Sequence, residues 1–285
     1  MEATNLKREA NTASAAITVI RPSGRWAPLN LRDLWHYREL FYFLTWREIK
    51  VRYKQTLLGI AWAVLRPLLM MVVFTLFFGK LAQIPSEGVP YPLFSYAALL
   101  PWTLLAEGVA RSANSLVQDS NLIRKVYFPR LLMPLSGVLS SLVDFAIAFT
   151  ILGGMMFYYG YPPTMQMVWV PAFIILTLLT AVGVGLWLSA INVKYRDVRH
   201  AIPFLVQGWL FASPVIYSSS LLPQQFQTIY GLNPMAGVIE GFRWSFLGIE
   251  PSGSLIGISV IVMVGILISG VFYFRCQEKI FADVV

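Results

Sequence analysis

Apolar residues in this chain collect into six long blocks, near 59–79, 92–110, 131–159, 168–192, 201–220 and 254–274, with the polar residues gathered between them. Each block is long enough for an α-helix to cross a hydrocarbon core of about 30 Å. Backbone groups in lipid must find partners within their own segment, so helices are the default, and the alternation expected of a membrane strand is absent. The third block exceeds one crossing, which tilt or an extension beyond the bilayer accommodates. The pattern predicts an all-α polytopic membrane protein with six spans at 59–275.

A different pattern precedes the first block. Residues 30–57 thread Leu31, Leu34, Trp35, Phe41, Leu44 and Ile49 among Arg and Lys at roughly helical spacing, which predicts an amphipathic helix lying in the membrane interface over 30–58. Residues 1–29 are polar and small and read as a flexible terminus. Their apolar stretch AITVI is too short for a secretory signal and runs into more charge. The connection 111–130, RSANSLVQDSNLIRKVYFPR, predicts a short helix. Asp119, Ser120 and Asn121 can cap it, Leu122, Ile123, Val126 and Tyr127 give it an apolar stripe beside Arg124 and Lys125, and Pro129 stops it. Such a helix suits a lipid-facing loop or a knob that fits a partner, and the residues leave both open. Between blocks five and six, 221–248 is too long for a turn and too apolar for a solvated loop. Two short helices near 223–230 and 234–247, broken at Gly231–Pro234, predict a re-entrant or interfacial hairpin on the outer face.

Composition agrees with the blocks: of 285 residues 57% are hydrophobic and 13% charged, where a soluble domain carries about 25% charged residues. Charge adds an orientation. Lys and Arg crowd the segment before 59, the 111–130 and 193–200 connections and the tail 276–285 with adjoining Arg275, while the alternate connections hold only Lys80 and Arg243. Basic loops stay inside, so both termini are expected in the cytoplasm, and the net charge of +8 needs no nucleic acid to explain it.

Candidate chemistry is sparse. Cys276 is the only cysteine, and His36 and His200 lie far apart, so no metal site is expected. No G-x-x-x-x-G-K-[ST] is present, since Gly79–Lys80 has the wrong neighbours, and no ATP site is expected in this chain. Glu107 and Asp144 are the acids inside blocks. Glu107 sits near a block end and reads as interfacial; Asp144 lies deeper and suits a basic partner or a polar path. No nucleophile–base constellation accompanies them. Aromatic residues are the remaining feature. Phe74, Phe77 and Phe78 are expected to share a face of the first span, and Trp209, Phe211 and Tyr217 occupy the fifth. Singly they read as lipid-facing rings, and as a set they hint at a path for sugars.

In order along the chain, RYKQTLLGIAW (52–62), NLIRKVYFPR (121–130), NVKYRDV (192–198), SPVIY (213–217) and LNPMAGVIEGFR (232–243) resemble the membrane subunit of bacterial polysaccharide ABC exporters, the kind that export O-antigen, with teichoic-acid and capsule exporters as close relatives. The resemblance implies a non-catalytic permease of the bacterial inner membrane, a second copy of the chain, and a separate P-loop ATPase that holds ATP and Mg. Its cargo would be a polysaccharide on a polyprenyl diphosphate. Leu58–Gly59 then marks the turn from interface helix to first span, near where the diphosphate head group enters. Arg47, Lys50, Arg52 and Lys54 supply positive potential there. Arg66 lies about 10 Å further along the helix axis, where it either snorkels or pairs structurally, or meets a phosphate. Asn121, Leu122, Ile123, Arg124, Lys125 and Tyr127 become a coupling helix seated in the ATPase. Trp62 and the aromatic set line the channel. The segment 223–247, with Phe226, Tyr230, Pro234, Phe242 and Trp244, becomes a pair of outer gate helices. A permease for another cargo (teichoic acid, capsule or a small hydrophobic molecule) and a membrane enzyme or assembly factor of envelope glycan synthesis stand as alternatives.

Overall fold

The computed structural model describes residues 31–54, 59–195, 197–251, 254–278 and 281, and among these all regular structure is helical. A short α1 (Leu31–His36) leads into α2 (Arg38–Lys54). The first membrane-length element is α3 (Gly59–Phe74), continued by a π-helical turn over Thr75–Leu81. There follow α4 (Tyr91–Gln118), the six-residue α5 (Ser120–Lys125) and α6 (Leu132–Tyr159). After a 3₁₀ turn at Met165–Trp169 come α7 (Val170–Lys194) and α8 (Val198–Phe211). The chain ends in α9 (Gln224–Tyr230), α10 (Pro234–Leu247) and α11 (Leu255–Gln277).

The bundle is built around α4, which packs against α3, α6, α7 and α10, while α11 closes over α7 and α10. Burial follows from this placement: 78% of the apolar window of α4 is buried, against 11% for Ala61–Leu81 and 22% for α11, so α3 and α11 keep broad uncovered faces. Without a hydrophobic drive between helices in lipid, close approach depends on small residues. Gly185 of α7 receives Ser112 of α4, and Gly270 of α11 lies against Gly183 of α7; a Cβ at Gly185 or Gly270 would overlap its neighbour. The main apolar core includes Phe94, Tyr96, Leu99, Val138, Phe145 and Phe242. A second core at the end of the bundle bearing α2 and α5 joins Leu44, Leu116, Ile123, Phe128, Leu186 and Phe274.

Five helices are long and apolar enough to cross a membrane among the described residues: Ala61–Leu81, Tyr91–Gln118, Leu132–Tyr159, Met165–Lys194 and Leu255–Gln277. The block at 201–220 is not a continuous helix. Helix α8 is 14 residues long, roughly 21 Å at 1.5 Å per residue, and the chain leaves it at Ala212 for bends and turns that include Pro214. Proline lacks the donor that would carry the helical ladder onward. The helix pair expected at 223–230 and 234–247 forms as α9 and α10.

The π turn changes the face that the aromatic residues of α3 present. Bonding from i to i+5 widens the turn, and Gly79 passes against the ring of Tyr91, where a Cβ would come within 2.8 Å. Phe74 is buried and meets Phe78 edge-on at 5.7 Å, whereas Phe77 turns outward. The three phenylalanines therefore do not share a face.

Candidate functional site

Helix α2 carries both aromatic and cationic side chains, and the bundle sorts its cations into two kinds. Leu44 is its buried anchor, and Trp35, Tyr42, Phe43 and Val51 are exposed. Arg47 reaches across to Asp119 and also bonds Glu48 at 3.2 Å. Arg52 bonds Asp144, and its Nη2 donates to Glu107 Oε2 at 2.9 Å. Lys50 lies 5.5 Å over the ring of Trp46, and Lys50 and Lys54 line a groove between α2 and α6. Neither lysine is paired with a carboxylate among the described residues. Of the four cations expected to meet a head group, two are thus held in ion pairs and two face open space. Leu58 lies outside the described residues, and Gly59 begins α3.

The ion pairs of Arg52 belong to a cluster that joins four helices. Arg66 of α3 donates to Glu107 Oε1 of α4 at 2.7 Å. Arg111, one turn along α4, bonds Glu107 at 3.3 Å, Ser140 Oγ of α6 at 2.9 Å, and Asp144 of α6. Tyr53 donates to Asp144 Oδ1 at 2.5 Å. Burial, and then this bond, push its phenol up to about 12. Among the described residues, three guanidinium groups meet two carboxylates in this cluster. Glu107 holds three of these cations at once, and Arg66 is the most exposed of them, its side chain 68% accessible. Glu107 is therefore the hub of the cluster, and Asp144 has the basic partners its depth called for. We expect Asp144→Asn to leave Arg52 and Arg111 undercompensated and to lower stability by about 1–3 kcal/mol; a thermal unfolding midpoint unchanged in detergent would contradict this.

Helix α5 sits at the same end. Ile123 is 7% exposed and enters the second core, while Asn121, Arg124, Lys125, Val126 and Tyr127 face outward and Leu122 is half-buried. The apolar stripe is thus narrower than the spacing suggests: Val126 adopts extended backbone and leaves the helix. Asp119 occupies the N-cap position but makes no capping bond; its carboxylate is taken by Arg47. One ion pair consequently fastens α2 to the start of α5.

The remaining candidates lie on α3, its π turn, and the stretch from α8 to α10. Trp62 of α3 and Phe77 of the π turn are exposed, as is Phe211 of α8. Phe204, 80% accessible on α8, shares this exposure and was not singled out by the sequence. Trp209 is instead tied to the fold. Its Nε1 donates to Asn233 Oδ1 at 2.9 Å, and Asn233 caps α10 by accepting from Met235 N. Tyr217 and Tyr230 join hydroxyls at 2.9 Å. Phe226 is exposed and Trp244 half-buried, but Pro234 and Phe242 are buried, with Phe242 packed against Phe145 and Phe173. The unforeseen centre here is Arg243, fully buried on α10. It donates to Val215 O at 2.9 Å and Tyr217 O at 3.1 Å, pairs with Glu240 at 3.4 Å, and lies 3.6 Å over the ring of Phe94. Glu240 in turn accepts from Ser219 N at 3.1 Å. An acid and a base three residues apart in an otherwise apolar helix is the signal that marks such a pair.

Residues 39–247 match the ABC-2 type transporter family. The chain is 30% identical over 241 residues to the O-antigen export system permease protein RfbA of Myxococcus xanthus, covering 82% of this chain and 92% of that one. It is 28% identical over 260 residues to the protein of the same name from Klebsiella pneumoniae, covering 89% and 97%. With the polysialic acid transport protein KpsM of Escherichia coli it shares 22% identity over 248 residues, covering 82% and 91%.

Proposed function

Because this chain belongs to the ABC-2 type transporter family, we propose that it is the membrane subunit of an ATP-driven exporter that carries lipid-linked, O-antigen-type polysaccharide across the bacterial inner membrane. The names of its relatives support that cargo. The observation that carries the mechanism is the arrangement of α5: an outward row of Asn121, Arg124, Lys125 and Tyr127 on a buried Ile123, fastened to α2 through Arg47 and Asp119. A small protruding helix with a rigid root is what a partner ATPase needs in order to push. In this reading ATP and Mg belong to that partner, both termini are cytoplasmic, and the chain itself makes and breaks no bonds.

The conduit follows from the uncovered faces. Helices α3 and α8 both pack on α4, and each exposes aromatic rings. Two copies meeting across these helices would enclose a bore lined by Trp62, Phe77, Phe204 and Phe211, whose rings stack weakly on the C–H faces of sugars. The sixth crossing is supplied by α8 together with the bent segment 212–222, and α9 and α10 turn back from the outer side. At the inner mouth Arg66 is the cation that the ionic cluster can spare, since Glu107 keeps Arg52 and Arg111 when Arg66 turns towards a diphosphate.

Affinity purification of the full chain from its native host tests this. We expect it to bring down a P-loop ATPase whose hydrolysis rate rises in its presence, and we expect cells lacking the chain to accumulate lipid-linked polysaccharide inside. Glycan modification by the isolated chain, or normal surface polysaccharide in the deletion strain, would overturn the proposal.

A further inference from the structure

Two apolar grooves run along one stripe of α6. The first, of 540 Å³, lies between α2 and α6, with Trp46, Lys50, Tyr53 and Lys54 on one wall and Val143 and Ile147 on the other. The second, of 510 Å³, lies between α3 and α6, where Leu68, Met71 and Leu76 face Ile151 and Tyr158. Val143, Ile147, Ile151, Gly154 and Tyr158 follow one another at intervals of four, four, three and four, the spacing of a single helix face. From Val143 to Tyr158 this stripe rises about 22 Å at 1.5 Å per residue. Gly154 has open space where a Cβ would stand, so the stripe is recessed rather than filled.

Charge is confined to the ends of the stripe. Lys50 and Lys54, one turn apart, stand at the α2 end, and Lys80 lines the other groove. The neighbouring cations of α2 are committed, Arg47 to Asp119 and Arg52 to Glu107 and Asp144. Along the wall of this groove the two lysines therefore present charge that no carboxylate among the described residues offsets. A pair of ammonium groups above an apolar trough complements a molecule with an anionic head and a hydrocarbon tail. Trp46, whose ring lies under Lys50, is a residue type that favours head-group depth. The α2–α6 groove takes no wall from α3 or α8, the helices of the candidate conduit. Its occupant is accordingly a lipid of the surrounding bilayer rather than the cargo's anchor.

We propose that the α2–α6 groove is a binding site for an anionic phospholipid of the cytoplasmic leaflet, with its phosphate between Lys50 and Lys54 and an acyl chain laid over Val143 and Ile147. The lipid fills the gap beneath α2 and fixes the interface helix to the bundle. This site stands whatever glycan the chain carries.

Native mass spectrometry of the full-length protein released from detergent, titrated with dioleoylphosphatidylglycerol or dioleoylphosphatidylcholine, tests it. We expect the anionic lipid to be retained at least ten-fold better, as two nearby lysines imply. The preference should vanish in K50Q/K54Q, and Ile147→Trp, which fills the trough, should weaken retention of phosphatidylglycerol with both lysines in place. Equal retention of the two lipids, or a preference unchanged in K50Q/K54Q, would overturn the proposal. Full retention by Ile147→Trp together with displacement by inorganic diphosphate would show an anion site without a lipid. Stronger retention of undecaprenyl phosphate than of phosphatidylglycerol would give the groove to the cargo's anchor. Either result also overturns it.

Discussion

Arg243→Ala is expected to be the most damaging single substitution in the chain, destabilising it by about 3–5 kcal/mol. The guanidinium is wholly buried and holds three oxygens, the carbonyls of Val215 and Tyr217 and the carboxylate of Glu240, while stacking on Phe94. Truncation removes these bonds together and leaves Glu240, 1% exposed, as a buried charge without its counterion. Removing both charges is gentler than removing one, so E240Q/R243M should recover much of the loss. Thermal unfolding in detergent reads the effect directly. A midpoint for R243A equal to that of the unaltered protein, or a double variant worse than the single, would show that Arg243 does not anchor the 213–219 segment to α10.

The second large effect concerns activity rather than folding. Reversing charge with R124E/K125E should reduce polysaccharide export by at least ten-fold while the helices remain intact. Both side chains face outward from α5. Reversed charge at a docking contact weakens that contact, because like charges then meet across it. Pulse-labelled surface polysaccharide gives the export rate, and the unfolding midpoint gives the control. Export at the normal rate would remove α5 from the coupling path.

Much of this architecture is written in one-dimensional patterns. Long apolar runs survive as helices because lipid leaves the backbone no alternative, and the breaks at Gly231–Pro234 fall where α9 passes to α10. The departures each have a local cause. Block 201–220 contains enough apolar residues for a span, but Pro214 and the bonds of Asn233 to Ala212 O and Ser213 Oγ hold its second half out of the helix. Counting by 3.6 residues placed Phe77 beside Phe74, and the π turn moved it away. The ionic cluster was hidden for a different reason. Arg52 lies 92 residues from Asp144 and 55 from Glu107, and no periodicity links positions so distant. Glu107 read as interfacial because nothing in its own neighbourhood revealed Arg52 and Arg66. Among the aromatic candidates, hydropathy could not distinguish exposed Phe211 from Trp209, which is bonded to a helix cap.

The bond between Arg47 and Asp119 has a mechanical meaning. It spans 72 residues of sequence to rivet α2 to the N-cap residue of α5. Leu44 and Ile123 bury their side chains in the same small core, so the joint is stiff as well as charged. In the proposed exporter, a stroke that displaces α5 would rock α2 with it, and the threshold that a lipid head crosses would shift in step with the engine. Fuel and doorway would then share one hinge, and an engine that stalls would leave the doorway still.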